Sequence, residues 1–481
     1  MRTTIKHLAL AAIVCLAMLA AATAVAGESS TVKVKRKPSD KEWKEFPART
    51  VADLPGFKQR EVTLDKYGGW TERRGKATGF FHVERSGDRW WLVDPGGCLF
   101  LHVAVNSVGP GRTPTSTAAL KKEFGTPAAW AERETQRLRD AGFNGAGAWS
   151  DVPLLRSAKE PLVYTPEGTA AVPGKSAKGG FLRSFGNAKK LAKQGSGHAV
   201  YPNDCMPVFH PDFPAFCDAH AKPLAALKDD PWLLGYFSDN ELPMPRLEKY
   251  LALDPNDAEM QSSLRAAQQW LDNRKRKSAM AAVITEADRD AWIEHVYGRY
   301  FELTTAAIRR YDPNHLCLGS RFYGAEKNKA AAFRAAGKWL DVIAVNHYGV
   351  WEPQAKDIAH WTEWSGKPVM ITEWYAKGMD SGYANNTGAG WTVPTQRDRG
   401  LFYQTYTLGL LRAKNCVGWH WFKYMDNDPE DTKADPSNRD SNKGVVTIRY
   451  QPYAPLLNLM QNLNRNVYPL TAYFDEGKQE R

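Results

Sequence analysis

Trp232-Leu-Leu-Gly-Tyr-Phe-Ser-Asp-Asn-Glu241 opens as an apolar and aromatic run and closes on Asp239, Asn240 and Glu241. An apolar run without alternation reads as a strand covered on both faces, as in a parallel sheet flanked by helices. Pro368-Val-Met-Ile-Thr-Glu-Trp-Tyr375 repeats the pattern and carries Glu373 at its end. A (β/α)8 barrel keeps its active site at the C-terminal ends of such strands, so two strand-end glutamates predict paired carboxylate chemistry on a glycosidic bond. One carboxylate alone would read as well as a helix cap or an ion-pair partner. Two, one preceded by Asn240 and the other set between Thr372 and Trp374, favour catalysis.

Around these two stretches the chain alternates apolar strands with amphipathic helices, the α/β pattern. Strands are expected near 99–106, 143–149, 199–209, 232–240, 316–322, 342–348, 369–374 and 417–421. Eight is the barrel number, and the fold class expected is a (β/α)8 TIM barrel over residues 99–475 with a short N-terminal β-hairpin extension. Helices are expected at 127–140, 211–227, 287–311, 330–340, 396–413 and 455–463. An open doubly wound sheet is the alternative, but the Gly-rich phosphate turn it usually carries after its first strand is missing. Two insertions, 161–198 and 243–280, interrupt the alternation; the first is basic, with Lys175, Lys178, Lys189, Lys190 and Lys193.

Ahead of the barrel, residues 66–98 read as a hairpin of alternating aromatics around Ser86-Gly87, packed on the barrel, and 27–65 as a polar, flexible leader. Residues 1–26 join Arg2 and Lys6 to an apolar run and an Ala24-Val25-Ala26 site before Gly27. This is the pattern of a secretory signal peptide, too short in its apolar part to span a membrane, and it predicts export to the periplasm or the medium.

The polar residues expected at the strand ends include Asn106, Asn240 with Glu241, Arg321, Asn346 with His347 and Tyr348, Glu373, and His420. Retaining hydrolysis needs an acid and a nucleophile with carboxyls about 5 to 5.5 Å apart. Strands four and seven face each other across a barrel mouth, which suits Glu241 and Glu373. Glu241, beside Asn240, is expected as the acid/base. Glu373 is expected as the nucleophile, kept ionised by Arg321 and Tyr348. Trp149, Trp374, Trp419 and Trp421 are candidate sugar platforms, although core packing claims part of any such set.

Composition narrows the alternatives. The 481 residues are 43% hydrophobic with 17 Trp, ample for a core, and the net charge is +11. That charge suits a polyanionic glycan or simply a solvated basic surface; no nucleic-acid motif accompanies it. No CxxC or HExxH occurs, and the first strand, His102-Val-Ala-Val-Asn106, lacks an H-x-H pair, so neither a metal nor another cofactor is expected. Cys205 and Cys217 could pair after export, which spacing alone leaves open.

Several longer motifs resemble one family. Lys66-Tyr-Gly-Gly-Trp70, Arg89-Trp-Trp-Leu-Val-Asp-Pro95, Asp239-Asn-Glu-Leu242, Ile371-Thr-Glu-Trp374, Gly388-Ala-Gly-Trp391, Thr395-Gln with Asp398-Arg-Gly400, and Gly418-Trp-His-Trp-Phe-Lys-Tyr-Met-Asp-Asn-Asp428 resemble the β-agarases of glycoside hydrolase family fifty. The resemblance implies a retaining barrel enzyme that cleaves β-1,4 bonds in agarose or a related, possibly sulfated galactan. It implies Glu241 as acid/base, Glu373 as nucleophile, and Trp391 among the sugar-binding residues. A catalytically silent sugar-binding barrel and a hydrolase of another β-linked glycan are the competing expectations.

Overall fold

The computed structural model describes residues 30–175, 179–195, 197–275, 283–432 and 439–477. The signal-peptide stretch 1–26 lies outside the described residues, as do Lys178 and the 276–280 end of the second insertion.

Eight short parallel strands carry the mixed α/β fold: β1 (His102–Val105), β2 (Gly145–Ala146), β3 (Val163–Tyr164), β4 (Gly235–Phe237), β5 (Leu316–Gly319), β6 (Ile343–Asn346), β7 (Val369–Glu373) and β8 (Cys416–Trp421). Six of them form one sheet in the order β6-β7-β8-β1-β2-β3, every neighbouring pair parallel, and β4 pairs with β5. Isolated parallel bridges join the two groups: Tyr164 with Leu233 and Glu167 with Phe237 on one side, Phe322 with Val345 on the other.

The strands are apolar on both faces because each face meets a different core. Leu234, Leu316, Leu318, Val342, Ala344, Met370 and Val417 pack with Phe100 and Phe81 in one cluster. Their neighbours in the chain, Cys317, Ile343, Val345, Val369 and Ile371, belong to a second cluster shared with the helices. The period of two is that of a strand whose successive side chains point to opposite faces. Helices Pro127–Asp140, Phe213–Ala221, Glu286–Tyr311, Ala330–Gly337, Gln396–Arg412 and Ala454–Asn464 lie where the periodicity placed them. The Thr395/Asp398 motif is a capping box, with Asp398 N–H bonded to Thr395 Oγ1 (3.2 Å) and Thr395 N–H to Asp398 Oδ2 (3.0 Å).

Three expectations are corrected. The third strand is β3, inside the presumed insertion 161–198, whereas Ala199–Val200 only pairs antiparallel with Lys193–Gln194. Pro202 and Pro207 explain the difference, since each lacks the N–H that a central strand must donate. Second, the stretch read as a flexible leader is tied down: Thr31–Val34 pairs with Lys44–Pro47, Val32 and Val34 are buried, and Lys35 bridges to Thr392. Third, the hairpin of His82–Ser86 and Arg89–Val93 belongs to a four-stranded antiparallel sheet with Cys98–Phe100 and Trp70–Arg74. That sheet sits at the N-terminal ends of the parallel strands, where Trp90 N–H bonds the Lys414 carbonyl (2.8 Å) just ahead of β8. Cys205 and Cys217 are buried and unpaired.

Candidate active site

At the opposite, C-terminal ends of the strands a cleft of about 770 Å³ opens, and Glu241 and Glu373 both line it. Glu373 ends β7, while Glu241 lies four residues past β4, carried by the backbone bond from its N–H to the Ser320 carbonyl (2.9 Å). Three residues of the site, Trp149 (φ 60°), Glu241 (φ 48°) and Arg321 (φ 50°), adopt the left-handed region without being glycine. Each costs about 1–3 kcal/mol, a strain that tends to collect at functional sites.

Glu373 is met by two donors, Arg321 Nη1 to Oε1 at 3.1 Å and the Tyr348 hydroxyl to Oε2 at 2.7 Å. Burial, then the neighbouring Glu241, push its carboxyl above the ordinary range, and Arg321 and Tyr348 oppose them. Burial and Glu373 hold the Tyr348 hydroxyl protonated well past its usual range, so it stays a donor. Glu241 receives the Asn346 amide at 2.7 Å, and His198 Nδ1 lies 3.6 Å from its other oxygen. Asn346 is itself fixed by Thr372 Oγ1 (2.8 Å) and also donates to Asn240 Oδ1 (3.1 Å), so one amide ties β6, β7 and the Asp239-Asn-Glu turn together. Asp239 does not line the cleft. It accepts the N–H groups of Leu182 (2.8 Å) and Arg183 (3.0 Å) at the start of helix Phe181–Ala188, and the Tyr300 hydroxyl (2.6 Å).

Arg321 is fully buried, with its guanidinium 4.0 Å from the Trp149 ring centroid and 5.1 Å from that of Phe237. On its far side lies Glu167, 3.6 Å from Nη2, which also accepts Trp149 Nε1 at 2.6 Å. Glu167 was not anticipated; its signal was its place just after β3, hidden because that strand was assigned elsewhere. Also unanticipated is a chain of edge and tilted ring contacts along the cleft, Trp149–Phe422 (5.7 Å), Phe422–Tyr375 (6.0 Å), Tyr375–Tyr348 (5.6 Å) and Tyr348–Tyr323 (6.0 Å). These rings line the cleft and can stack on sugar faces.

The other expected platforms lie elsewhere. Trp374 stacks on Tyr406 at 4.0 Å, Trp419 donates to the Tyr403 hydroxyl (3.1 Å) and Trp421 to the Lys443 carbonyl (3.0 Å), all three in the core. In β8 the alternation sends both tryptophans to the helix side. His347 likewise faces the helices, edge-on to Trp361 at 5.1 Å, and burial pushes its imidazole down to about 3. His420 is fully buried under the cleft, bonded to His102 (2.9 Å). Asn106 is buried too, donating to the Thr372 carbonyl (2.7 Å) below Glu373. Trp391 stands behind the rim, its ring covered by Arg36 (5.3 Å) and Phe46 (5.6 Å). Among the described residues the one trio of potential metal ligands, Asp65, Asp94 and Cys98, does not line the cleft.

No family model matches the chain. Among curated proteins it is 24% identical over 530 residues to β-agarase B of Vibrio sp. (strain JT0107), covering 88% of this chain and 51% of that protein, so it spans about half of that relative's length. A solved exo-β-agarase structure shares the fold at 20% identity (TM-score 0.66, 88% of this chain and 69% of that one). The crystal structure of BpGH50 is 30% identical, with a TM-score of 0.78, over 93% of this chain and 96% of its own. Likeness of that extent, in sequence as well as fold, means that this chain is a glycoside hydrolase and belongs to family 50.

Proposed function

We propose that the protein is an exported, retaining glycoside hydrolase that cleaves β-1,4-galactosidic bonds in agarose or a related galactan from a closed (β/α)8 barrel. The observation that carries the reading is that Glu241 and Glu373 open into one cleft in different hydrogen-bonding environments. A guanidinium and a hydroxyl both donate to Glu373, which suits a carboxylate; a neutral amide donates to Glu241, with His198 3.6 Å from its other oxygen. Burial and Glu241 raise Glu373. We nonetheless place the one shared proton on Glu241, because an Arg321 cation 3.1 Å away would be left facing a neutral acid if Glu373 held it.

The steps then balance. Glu373 attacks the anomeric carbon while Glu241 gives its proton to the leaving glycosidic oxygen, forming a glycosyl ester. Water, deprotonated by Glu241, attacks the same carbon and releases Glu373, restoring both groups and the anomeric configuration. Asn240 and the ring chain from Trp149 to Tyr323 would hold the sugars. The parallel bridges between β3 and β4 and between β5 and β6 support barrel closure, the pattern of residues 1–26 supports export, and the β-agarase relatives support the substrate class.

The test is to incubate the purified protein with agarose, porphyran, carrageenan and neoagaro-oligosaccharides and to follow the products by chromatography and the first-formed anomer by NMR. Glu373→Gln and Glu241→Gln should each lower turnover by about a thousandfold or more, with EDTA having no effect. An inverted first product would sink the retaining mechanism, and no product from any galactan would sink the substrate assignment.

A further inference from the structure

The wall of the cleft that follows β8 carries charge for which the two-glutamate reaction has no use. The chain leaves Trp421 through Phe422 and Lys423, and Lys423 lines the cleft together with Arg112 and Lys443. The Lys443 ammonium sits over the rings of Phe422 (4.8 Å) and Tyr375 (4.9 Å), on the Glu373 side. Three aspartates line the same wall, but each is engaged. Asp426 accepts Asn442 Nδ2 (2.8 Å), Gly444 N–H (2.8 Å) and the Tyr453 hydroxyl (2.6 Å). Asp428 accepts the Thr113 hydroxyl and Glu430 N–H (3.0 Å), and Asp431 pairs with Arg112 at 3.1 Å.

Lys423 is the exception. Its charged neighbours are Asp426, Arg112 and Asp431, yet among the described residues its ammonium makes no hydrogen bond. Burial pushes it down to about 8, the direction expected of a cation that the protein itself leaves short of a counter-charge. A sugar hydroxyl would satisfy it weakly; an anionic oxygen makes a bond roughly twice as strong.

We propose that Lys423, with Arg112 at the outer edge, forms a subsite for an anionic substituent, a sulfate ester or a carboxylate, on the glycan lying in the cleft. This rests on the galactan reading above and adds to it a charged group read on the β8 side. Arg112 supplies a planar fork suited to either anion, and its side chain is exposed enough at the rim to swing away from its Asp431 partner.

Isothermal titration of the Glu373→Gln protein with three oligosaccharides tests it: a neutral agaro-oligosaccharide, a porphyran-derived one carrying sulfate, and the agaro-oligosaccharide oxidised at galactose C6 to the carboxylate. A charged form should bind about tenfold tighter than the neutral one, and which charged form it is separates sulfate from carboxylate. Lys423→Met should bring the charged-to-neutral ratio to within about twofold of one, while Lys423→Arg should keep the preference, which guards against a merely damaged fold. Equal binding of all three by the parent, or a ratio unchanged in Lys423→Met, overturns the subsite and leaves the galactan reading standing. Binding of none overturns both.

Discussion

Arg321 shows how much one side chain can set. Its guanidinium is wedged between Glu373 and Glu167 and flat against Trp149, so it opposes the protonation of Glu373 that burial and Glu241 favour while fixing an aromatic wall. Removing the charge leaves burial and Glu241 unopposed except by Tyr348 and Lys443, and the Glu373 carboxyl must rise further. Since the proposed nucleophile acts ionised, the acid limb of kcat/KM against pH should move to higher pH, by about one unit or more in Arg321→Met. Tyr348→Phe removes a hydrogen bond and no charge, so its limb should move the same way by less. A profile in Arg321→Met that falls in height but keeps its limbs would mean that Arg321 acts only by packing. Both glutamates could be found from the sequence because a carboxylate after an apolar strand is conspicuous. Arg321 and Tyr348 followed from the same strand ends. Trp374, Trp419, Trp421, His347 and His420 were misplaced, because nearness to a strand end does not say which face a residue takes or how deep it lies.

At the scale of elements, the Asp239-Asn240-Glu241 run divides its labour. Asp239 caps helix Phe181–Ala188 and holds Tyr300, and this anchors the turn from which Glu241 reaches the cleft at positive φ. Asp239→Ala should therefore cost about 2–3 kcal/mol in a urea titration, the sum of a lost cap and a stranded buried hydroxyl. It should also lower kcat more than it raises KM, because Glu241 loses its support. Full stability in that variant would sink the anchoring role. The long helix Glu286–Tyr311 was legible because its signal is local. Strand β3 was not: two residues between Pro161 and Pro166, in a Gly- and Lys-rich stretch, carry no period, and only pairing with β2 makes them a strand. With it went Glu167, and the ring chain along the cleft is likewise invisible to any local pattern.

For the whole molecule, buried carboxyls decide how stability depends on pH. Asp239 and Glu326 are each pushed up to about 7, burial being the main cause in both. A carboxyl whose folded pKa is raised favours folding fully below its unfolded pKa, near 4, and loses that contribution as pH climbs through about 7. Glu84 acts in the opposite sense. Held below the usual range by Lys76 N–H and then His82, it contributes stability above its unfolded pKa that is lost as pH falls further. The melting temperature should accordingly peak in mild acid and decline from about pH 5 to pH 8, measured in about 0.2 M salt so that general charge repulsion is screened. Glu326→Gln isolates the effect: its side-chain oxygen can still accept Tyr323 N–H, bonded at 2.8 Å, but it cannot ionise. Calorimetry should find it melting a degree or two above the parent at pH 8, with the gain gone by pH 5. A gain of equal size at both pH values would mean that repacking, and not the charge on Glu326, sets the difference.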